Sequence, residues 1–143
     1  MEEPTVRSYR IRGSRITGPQ QAALDKHWGS YGIEASNQVL DFSTLFPDSK
    51  EVILEIGFGM GETTAKIAAL RTDDDFLAIE VHPPGVGALL KLIGENQLTN
   101  LRLIRHDAVE VLEKMLPENS LDGIHIYFAD PWHKKRHHKR QIG

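Results

Sequence analysis

Short apolar runs alternate with helical segments between residues 51 and 128. The runs EVILEI, FLAIEV, LRLIR and LDGIHIYF predict strands at 51–56, 76–81, 101–105 and 121–128. The first two are buried strands by this pattern, because near-continuous apolar runs are typical of strands covered on both faces. Composition and apolar spacing predict helices between them at 62–71, 85–98 and 108–116. This alternation with short connections predicts an α/β fold with a parallel sheet and helices on both faces.

The first 49 residues lack this alternation. Residues 1–19 are polar, contain Gly13, Gly18 and two prolines, and predict an extended arm. The segment PQQAALDKHW at 19–28 predicts a short helix, and the stretch at 46–48 predicts a loop. We therefore expect an N-terminal arm and helix at 1–49, followed by the α/β domain at 50–143.

A carboxylate lies at or just after the end of each predicted strand. These residues are Glu55, Glu80, Asp107 and Asp130. In parallel sheets, ligands bind beyond the carboxyl ends of the strands. Pro131 restricts Asp130 to extended backbone, which directs its side chain toward that edge. Four acidic residues in register predict a ligand site there.

A glycine-rich segment, EIGFGMGETT, follows the first predicted strand. Its glycines, Gly57, Gly59 and Gly61, form G-x-G-x-G, whereas the dinucleotide fingerprint is G-x-G-x-x-G. Glu62 occupies the position of the later glycine, and a carboxylate at a helix start disfavours pyrophosphate. The pattern favours a ligand without phosphate and with a positive centre, and S-adenosylmethionine meets both conditions. A glycine-rich turn without a ligand is the alternative.

The acidic residues after the second and third predicted strands each have two interpretations. Glu80 is placed to accept hydrogen bonds from ribose hydroxyls, or it is a solvated residue at a strand end. Asp107 is placed to accept from an adenine amino group, or it caps the next helix. The two roles of Asp107 are compatible.

Basic residues are concentrated toward the two ends of a chain whose formal net charge is −3. Nine of the 17 Lys and Arg lie in two stretches: Arg7, Arg10, Arg12 and Arg15, then Lys134, Lys135, Arg136, Lys139 and Arg140. This asymmetry predicts a polyanionic partner. Solubilising terminal segments are the alternative.

Several classes of protein are disfavoured by composition. The 143 residues contain no Cys, which excludes disulfides and thiolate metal sites. No apolar stretch approaches the roughly 20 residues that span a bilayer, and the N-terminus has no apolar signal region. We expect a cytoplasmic protein with no membrane association and no metal; the sequence HHKR lacks nearby carboxylate partners for a metal site. Oligomeric state stays open.

With these residues identified, the chain resembles the bacterial tRNA (guanine-N7)-methyltransferase family. The resemblance rests on LEIGFGMGETT, AIEVHPPGVG, NLRLIRHDA and especially IYFADPWHKKRHHKR. It covers residues 50–140 well and the arginine-rich arm more loosely. It implies a Rossmann-like methyltransferase that transfers a methyl group from S-adenosylmethionine to N7 of a guanine in the tRNA variable loop.

The resemblance also implies roles for individual residues. Glu55, Glu80 and Asp107 match cofactor-binding acids, and Asp130 matches both a cofactor contact and the catalytic residue. The glycines of the loop belong to the same cofactor site. The positions that match substrate or RNA contacts are Lys134, Arg136, His137, His138, Lys139, Arg140 and Gln141. Trp132 either stacks on a base or packs in the core.

Guanine N7 has an in-plane lone pair and no proton, so its methylation needs no strong base. We expect Asp130 to orient the guanine and to favour the positive charge that develops on it. A family sheet of seven strands, of which four are recognised here, implies an incomplete domain. A non-catalytic RNA- or cofactor-binding fragment of such an enzyme is therefore the alternative; a nucleotide-dependent oxidoreductase is disfavoured by the glycine spacing.

Overall fold

The computed structural model describes residues 15–48 and 50–127 as a parallel sheet flanked by helices. The elements, in chain order, are α1 (Gly18–Tyr31), β1 (Gly32–Ile33), α2 (Phe42–Leu45), β2 (Glu51–Ile56), α3 (Glu62–Leu70), β3 (Asp74–Ile79), α4 (Pro83–Asn96), β4 (Leu101–Ile104), α5 (Ala108–Lys114) and β5 (Gly123–Ile126). The five strands of this part of the chain lie in the order β1-β4-β3-β2-β5, and every pair is parallel.

The predicted α/β alternation is confirmed from β2 onward. Strand β2 has the predicted bounds, and the helices differ from the predicted ones by at most two residues at either end. Strand β3 begins two residues earlier than the apolar run, because Asp74 and Asp75 pair with Glu51 and Val52 of β2. The two-residue strand β1 and the four-residue helix α2 were not predicted.

The sheet separates two apolar cores. In β2, Ile53 faces the core covered by α1, α3 and α4, whereas Val52 and Leu54 face the core that includes Val111 of α5. Alternate side chains of β3 divide between the same two cores, so six consecutive residues of that strand are buried. Helices on both faces, as predicted, explain why β2 to β4 carry apolar runs without polar alternation. In β5, by contrast, Ile124 and Ile126 are exposed.

Helix α1 packs against α4. It begins at Thr17, whose hydroxyl accepts from the backbone N–H of Gln20 while the Gln20 side chain accepts from the N–H of Thr17. Ala23 is buried in the first core, and Leu24 and Trp28 pack against the same core. Strand β1 then joins the sheet beside β4.

The amino edge of the sheet is held by Asn100. Its buried side-chain amide donates to the backbone oxygens of Ala68, Arg71 and Asp74, at 3.0, 3.2 and 3.0 Å. These bonds join the end of α3 and the start of β3 to the segment before β4. Asn100 therefore stabilises the edge opposite the predicted ligand site.

Within residues 15–48 and 50–127, no helix has the length and apolar character needed to cross a bilayer.

Candidate functional site

The loop between β2 and α3 has a backbone that strongly favours glycine. Gly57, Gly59 and Gly61 have φ values of +71°, +63° and +82°, in the left-handed region that other residues adopt at a cost. Gly61 is also the N-cap of α3, and a Cβ there would lie 2.7 Å from Cβ of Leu89. Conformation and close packing together account for the G-x-G-x-G spacing.

The middle of this loop faces open space on one side and a helix on the other. No heavy atom of the described residues lies within 4 Å of the position that a Cβ of Gly59 would take. On the opposite side, a Cβ at Gly85 of α4 would lie 2.0 Å from the Gly59 carbonyl oxygen. Gly85 thus lets α4 support the loop. This role of Gly85 was not predicted from the sequence, although the GVG at the start of that helix could have indicated it.

Glu80 links the glycine loop to the end of β3. Its Oε1 accepts from the N–H of Gly59 at 2.8 Å, and its Oε2 accepts from the N–H groups of Val81 and His82 at 3.0 and 3.2 Å. The residue is half-buried. A carboxylate offers about four acceptor positions, so after these three bonds Oε1 can accept one further hydrogen bond.

Glu55, by contrast, lies in β2, two residues before the first glycine of the loop. It is completely buried, and three side chains of the described part contact its carboxylate. The hydroxyl of Thr64 donates to Oε1 at 2.6 Å, the hydroxyl of Tyr127 donates to the same oxygen at 2.9 Å, and Nδ1 of His125 contacts Oε2. Burial, together with the hydrogen bond to Glu55, raises the pKa of Tyr127 to about 12, so this phenol remains a donor at neutral pH.

The sequence reasoning did not identify these three partners of Glu55. His125 is the β5 residue in register with Glu55, 70 positions later, and Tyr127 follows two residues on. The predicted strands at 51–56 and 121–128 would have placed both near Glu55 if their pairing and register had been known.

Asp107 caps helix α5. Its exposed side chain accepts from the N–H of Glu110 at 3.2 Å, and its backbone is extended, as at a typical N-cap. The capping interpretation is therefore confirmed. Because Ile104 of β4 pairs with Ile79 of β3, Asp107 and Glu80 follow neighbouring strands at the same edge.

The residues of this edge fit the ligand class predicted from the sequence. The open space at Gly59 gives a ligand access to the loop, and Glu80 has an acceptor position left for a hydroxyl group. Glu62 lies in the first turn of α3, where its charge opposes binding of a phosphate at the helix start. The arrangement suits S-adenosylmethionine better than a dinucleotide.

The remaining predicted site residues lie outside the described residues: Asp130, Lys134, Arg136, His137, His138, Lys139, Arg140 and Gln141. Trp132 lies there as well. Across 15–48 and 50–127, no cluster of three or more His, Asp or Glu side chains is arranged to hold a metal ion.

Comparison with known protein families gives a match over the α/β part of the chain. A family of putative methyltransferases matches residues 49–143. The chain belongs to this methyltransferase family. The match includes β2 to β5, and hence the glycine loop, Glu80 and Asp107, together with the basic segment after β5.

Two curated relatives of this chain show the extent of the similarity. A protein of Neisseria meningitidis serogroup A, named tRNA (guanine-N(7)-)-methyltransferase, is 58% identical over 138 residues, which are 96% of this chain and 58% of the relative. A Chromobacterium violaceum protein of the same name is 53% identical over 146 aligned positions, covering 99% of this chain and 65% of the relative. The chain thus spans about three fifths of the length of these relatives.

A solved structure supports the fold independently. An antibiotic-related methyltransferase superposes with a TM-score of 0.52 at 17% identity, covering 74% of this chain and 58% of that one. The Rossmann-like α/β fold predicted from the sequence is confirmed.

Proposed function

We propose that this chain carries the S-adenosylmethionine-binding part of an enzyme that methylates N7 of a guanine in tRNA. The observation that carries the proposal is the glycine loop, which is open to a ligand at Gly59 and joined to β3 through Glu80. The names of the curated relatives support the reaction and the tRNA substrate. In this proposal, residues 50–143 supply the methyltransferase domain portion and residues 1–49 the basic arm and first helix.

The described residues bind and orient the methyl donor. Oε1 of Glu80 accepts from a ribose hydroxyl while it continues to hold the Gly59 N–H. Asp107 accepts from the adenine amino group through a carboxylate that also caps α5. Gly57, Gly59 and Gly61 allow the backbone to approach the ligand closely, which a side chain at Gly59 would prevent. Glu55 is proposed to belong to the same cofactor site, and its buried carboxylate contacts Thr64, His125 and Tyr127.

S-adenosylmethionine supplies a methyl group on a positively charged sulfur, and in the transfer the methyl–sulfur bond breaks as a bond to guanine N7 forms. Because N7 carries no proton, no residue has to remove one. Asp130 is proposed to accept N–H bonds from the guanine and to favour the positive charge that the ring acquires.

The basic segment after β5 is proposed to contact tRNA phosphates. Such contacts give affinity and register rather than sequence choice. The proposed contact residues are Lys134, Arg136, His137, His138, Lys139, Arg140 and Gln141. A tRNA-modifying role also supports the cytoplasm as the compartment.

Calorimetry and a methyl-transfer assay on the 143-residue chain test this proposal. We expect S-adenosylhomocysteine to bind and NAD not to bind, because Glu62 disfavours pyrophosphate. Binding of NAD in place of S-adenosylhomocysteine would contradict the cofactor assignment. Transfer to unmodified tRNA is followed as 7-methylguanosine; cofactor binding without transfer would favour the non-catalytic alternative.

A further inference from the structure

The hydrogen-bonded cluster around Glu55 connects three segments that meet at the glycine loop. Glu55 precedes the loop by two residues, Thr64 lies in the first turn of α3 just after the loop, and His125 and Tyr127 belong to β5 and its end. Both ends of the loop and the neighbouring strand therefore contact one buried carboxylate. A buried carboxylate is costly unless its oxygens are hydrogen-bonded, so these contacts depend strongly on one another.

Backbone contacts reinforce the connection between β5 and the loop. The N–H of Tyr127 donates to the Ile56 carbonyl at 2.9 Å. A Cβ on Gly57 would lie 3.2 Å from the Tyr127 carbonyl oxygen, so the first loop glycine is packed against the end of β5. A shift of β5 would consequently displace both Glu55 and the start of the loop.

The carboxylate of Glu55 is engaged by three side chains of the described part of the chain. It is completely buried, and Oε1 accepts two hydrogen bonds while Oε2 contacts the imidazole of His125. At neutral pH the Tyr127 hydroxyl stays protonated and keeps donating. Glu80, by comparison, is half-buried and contacts the open part of the loop at Gly59.

We infer that His125 and Tyr127 are positioning residues: through the Glu55 carboxylate they hold the glycine loop in its ligand-binding conformation and join it to β5. The inference rests on the proposed function only for the identity of the ligand, S-adenosylmethionine.

Variants of the two residues that contact Glu55 from β5 test the inference in the 143-residue chain. Tyr127→Phe removes one donor and preserves the ring. His125→Ala removes the imidazole, and His125→Asn returns an N–H near the position of Nδ1. Asn100→Ala is the matched control, because it removes a buried group with three hydrogen bonds at the opposite edge of the sheet.

Two measurements are made on each folded variant. The first is amide hydrogen exchange at Gly57, Gly59 and Gly61, whose N–H groups are bonded to Ile79 O, Glu80 Oε1 and Phe58 O. The second is S-adenosylhomocysteine affinity by calorimetry. For Tyr127→Phe and His125→Ala we expect faster loop exchange and about tenfold weaker binding, the scale of one lost hydrogen bond to a charged group. His125→Asn should recover most of both.

The control Asn100→Ala should lower the unfolding temperature. It should leave amide exchange in the glycine loop and S-adenosylhomocysteine affinity near their original values. Unchanged loop exchange in Tyr127→Phe and His125→Ala would overturn the inference, and so would weaker binding with unchanged exchange, since that result indicates direct ligand contact. Faster loop exchange in a chain that does not bind S-adenosylhomocysteine at all would support the positioning role while refuting the proposed ligand.

Discussion

Replacement of Glu80 by alanine is expected to weaken S-adenosylhomocysteine binding by about 10- to 100-fold. The proposed bond from Oε1 to a ribose hydroxyl is charge-assisted, and such bonds contribute roughly 1.5–3 kcal/mol. Since each tenfold change in affinity corresponds to about 1.4 kcal/mol, loss of this bond corresponds to the expected 10- to 100-fold weaker binding. The bond from Gly59 N–H to Oε1 is lost as well, so the loop is also held less firmly.

The cost to folding should be small in comparison. Glu80 is half-buried, and water can replace the carboxylate at the N–H groups of Val81 and His82. We expect the free energy of unfolding to fall by about 1 kcal/mol. Glu80→Gln should bind nearly as poorly as the alanine variant, because its amide nitrogen cannot accept hydrogen bonds from those two N–H groups while its oxygen contacts Gly59.

Calorimetric titration of each variant, with urea unfolding in parallel, measures both effects. Glu95→Ala is the control: it removes another glutamate, on α4, whose visible contact is an exposed ion pair with Lys91 at 2.6 Å. That variant should bind S-adenosylhomocysteine like the original chain. A loss below twofold for a folded Glu80→Ala protein would refute the ribose assignment.

Three further predictions concern the loop, the buried acid on β3 and the segment after β5. Gly59→Val should abolish S-adenosylhomocysteine binding in calorimetry and lower stability by about 1–2 kcal/mol through its positive φ; Gly29→Val, in open space on α1, should leave binding intact. Burial raises the pKa of Asp75, and among the described residues no group bonds to its Oδ2. Asp75 therefore favours folding while protonated at low pH, and this contribution is lost as the pH rises through its raised pKa. Asp75→Asn should accordingly gain about 1 kcal/mol at pH 7, and in urea unfolding the gain should disappear below about pH 4; a gain independent of pH would contradict this. Asp130→Asn should reduce the methyl-transfer rate far more than tRNA affinity. Alanine replacement of the basic residues should instead weaken tRNA binding far more than it lowers the methyl-transfer rate; these residues are Lys135, Arg136, Lys139 and Arg140. The salt dependence of tRNA binding should become flatter by up to about 0.9 log units per lost phosphate contact, and an unchanged salt slope would contradict the phosphate assignment.

Local sequence patterns were sufficient for the main elements and for part of the site. The apolar runs predicted β2 to β5. For β2 to β4 the reason is that a strand covered on both faces must be apolar along its length; β5 is different, since Ile124 and Ile126 are exposed. The spacing of Gly57, Gly59 and Gly61 predicted the loop because its backbone requires positive φ. Glu80 and Asp107 were placed at the correct edge, since parallel strands end on the same side of the sheet.

The tertiary structure decided how these local pieces are paired. The sequence does not state that Glu55 meets His125 and Tyr127, because strand order and register depend on packing between segments about 70 residues apart. Strand β1 has too few residues for a periodic signal, and it belongs to the sheet only because β4 offers it a free edge. Glu55 and Glu80 are the same residue type, but Glu55 lies within β2, in register with Ala78, whereas Glu80 directly follows β3. Only the packed fold buries the carboxylate of Glu55 completely and leaves that of Glu80 half-buried and bonded to the loop at Gly59.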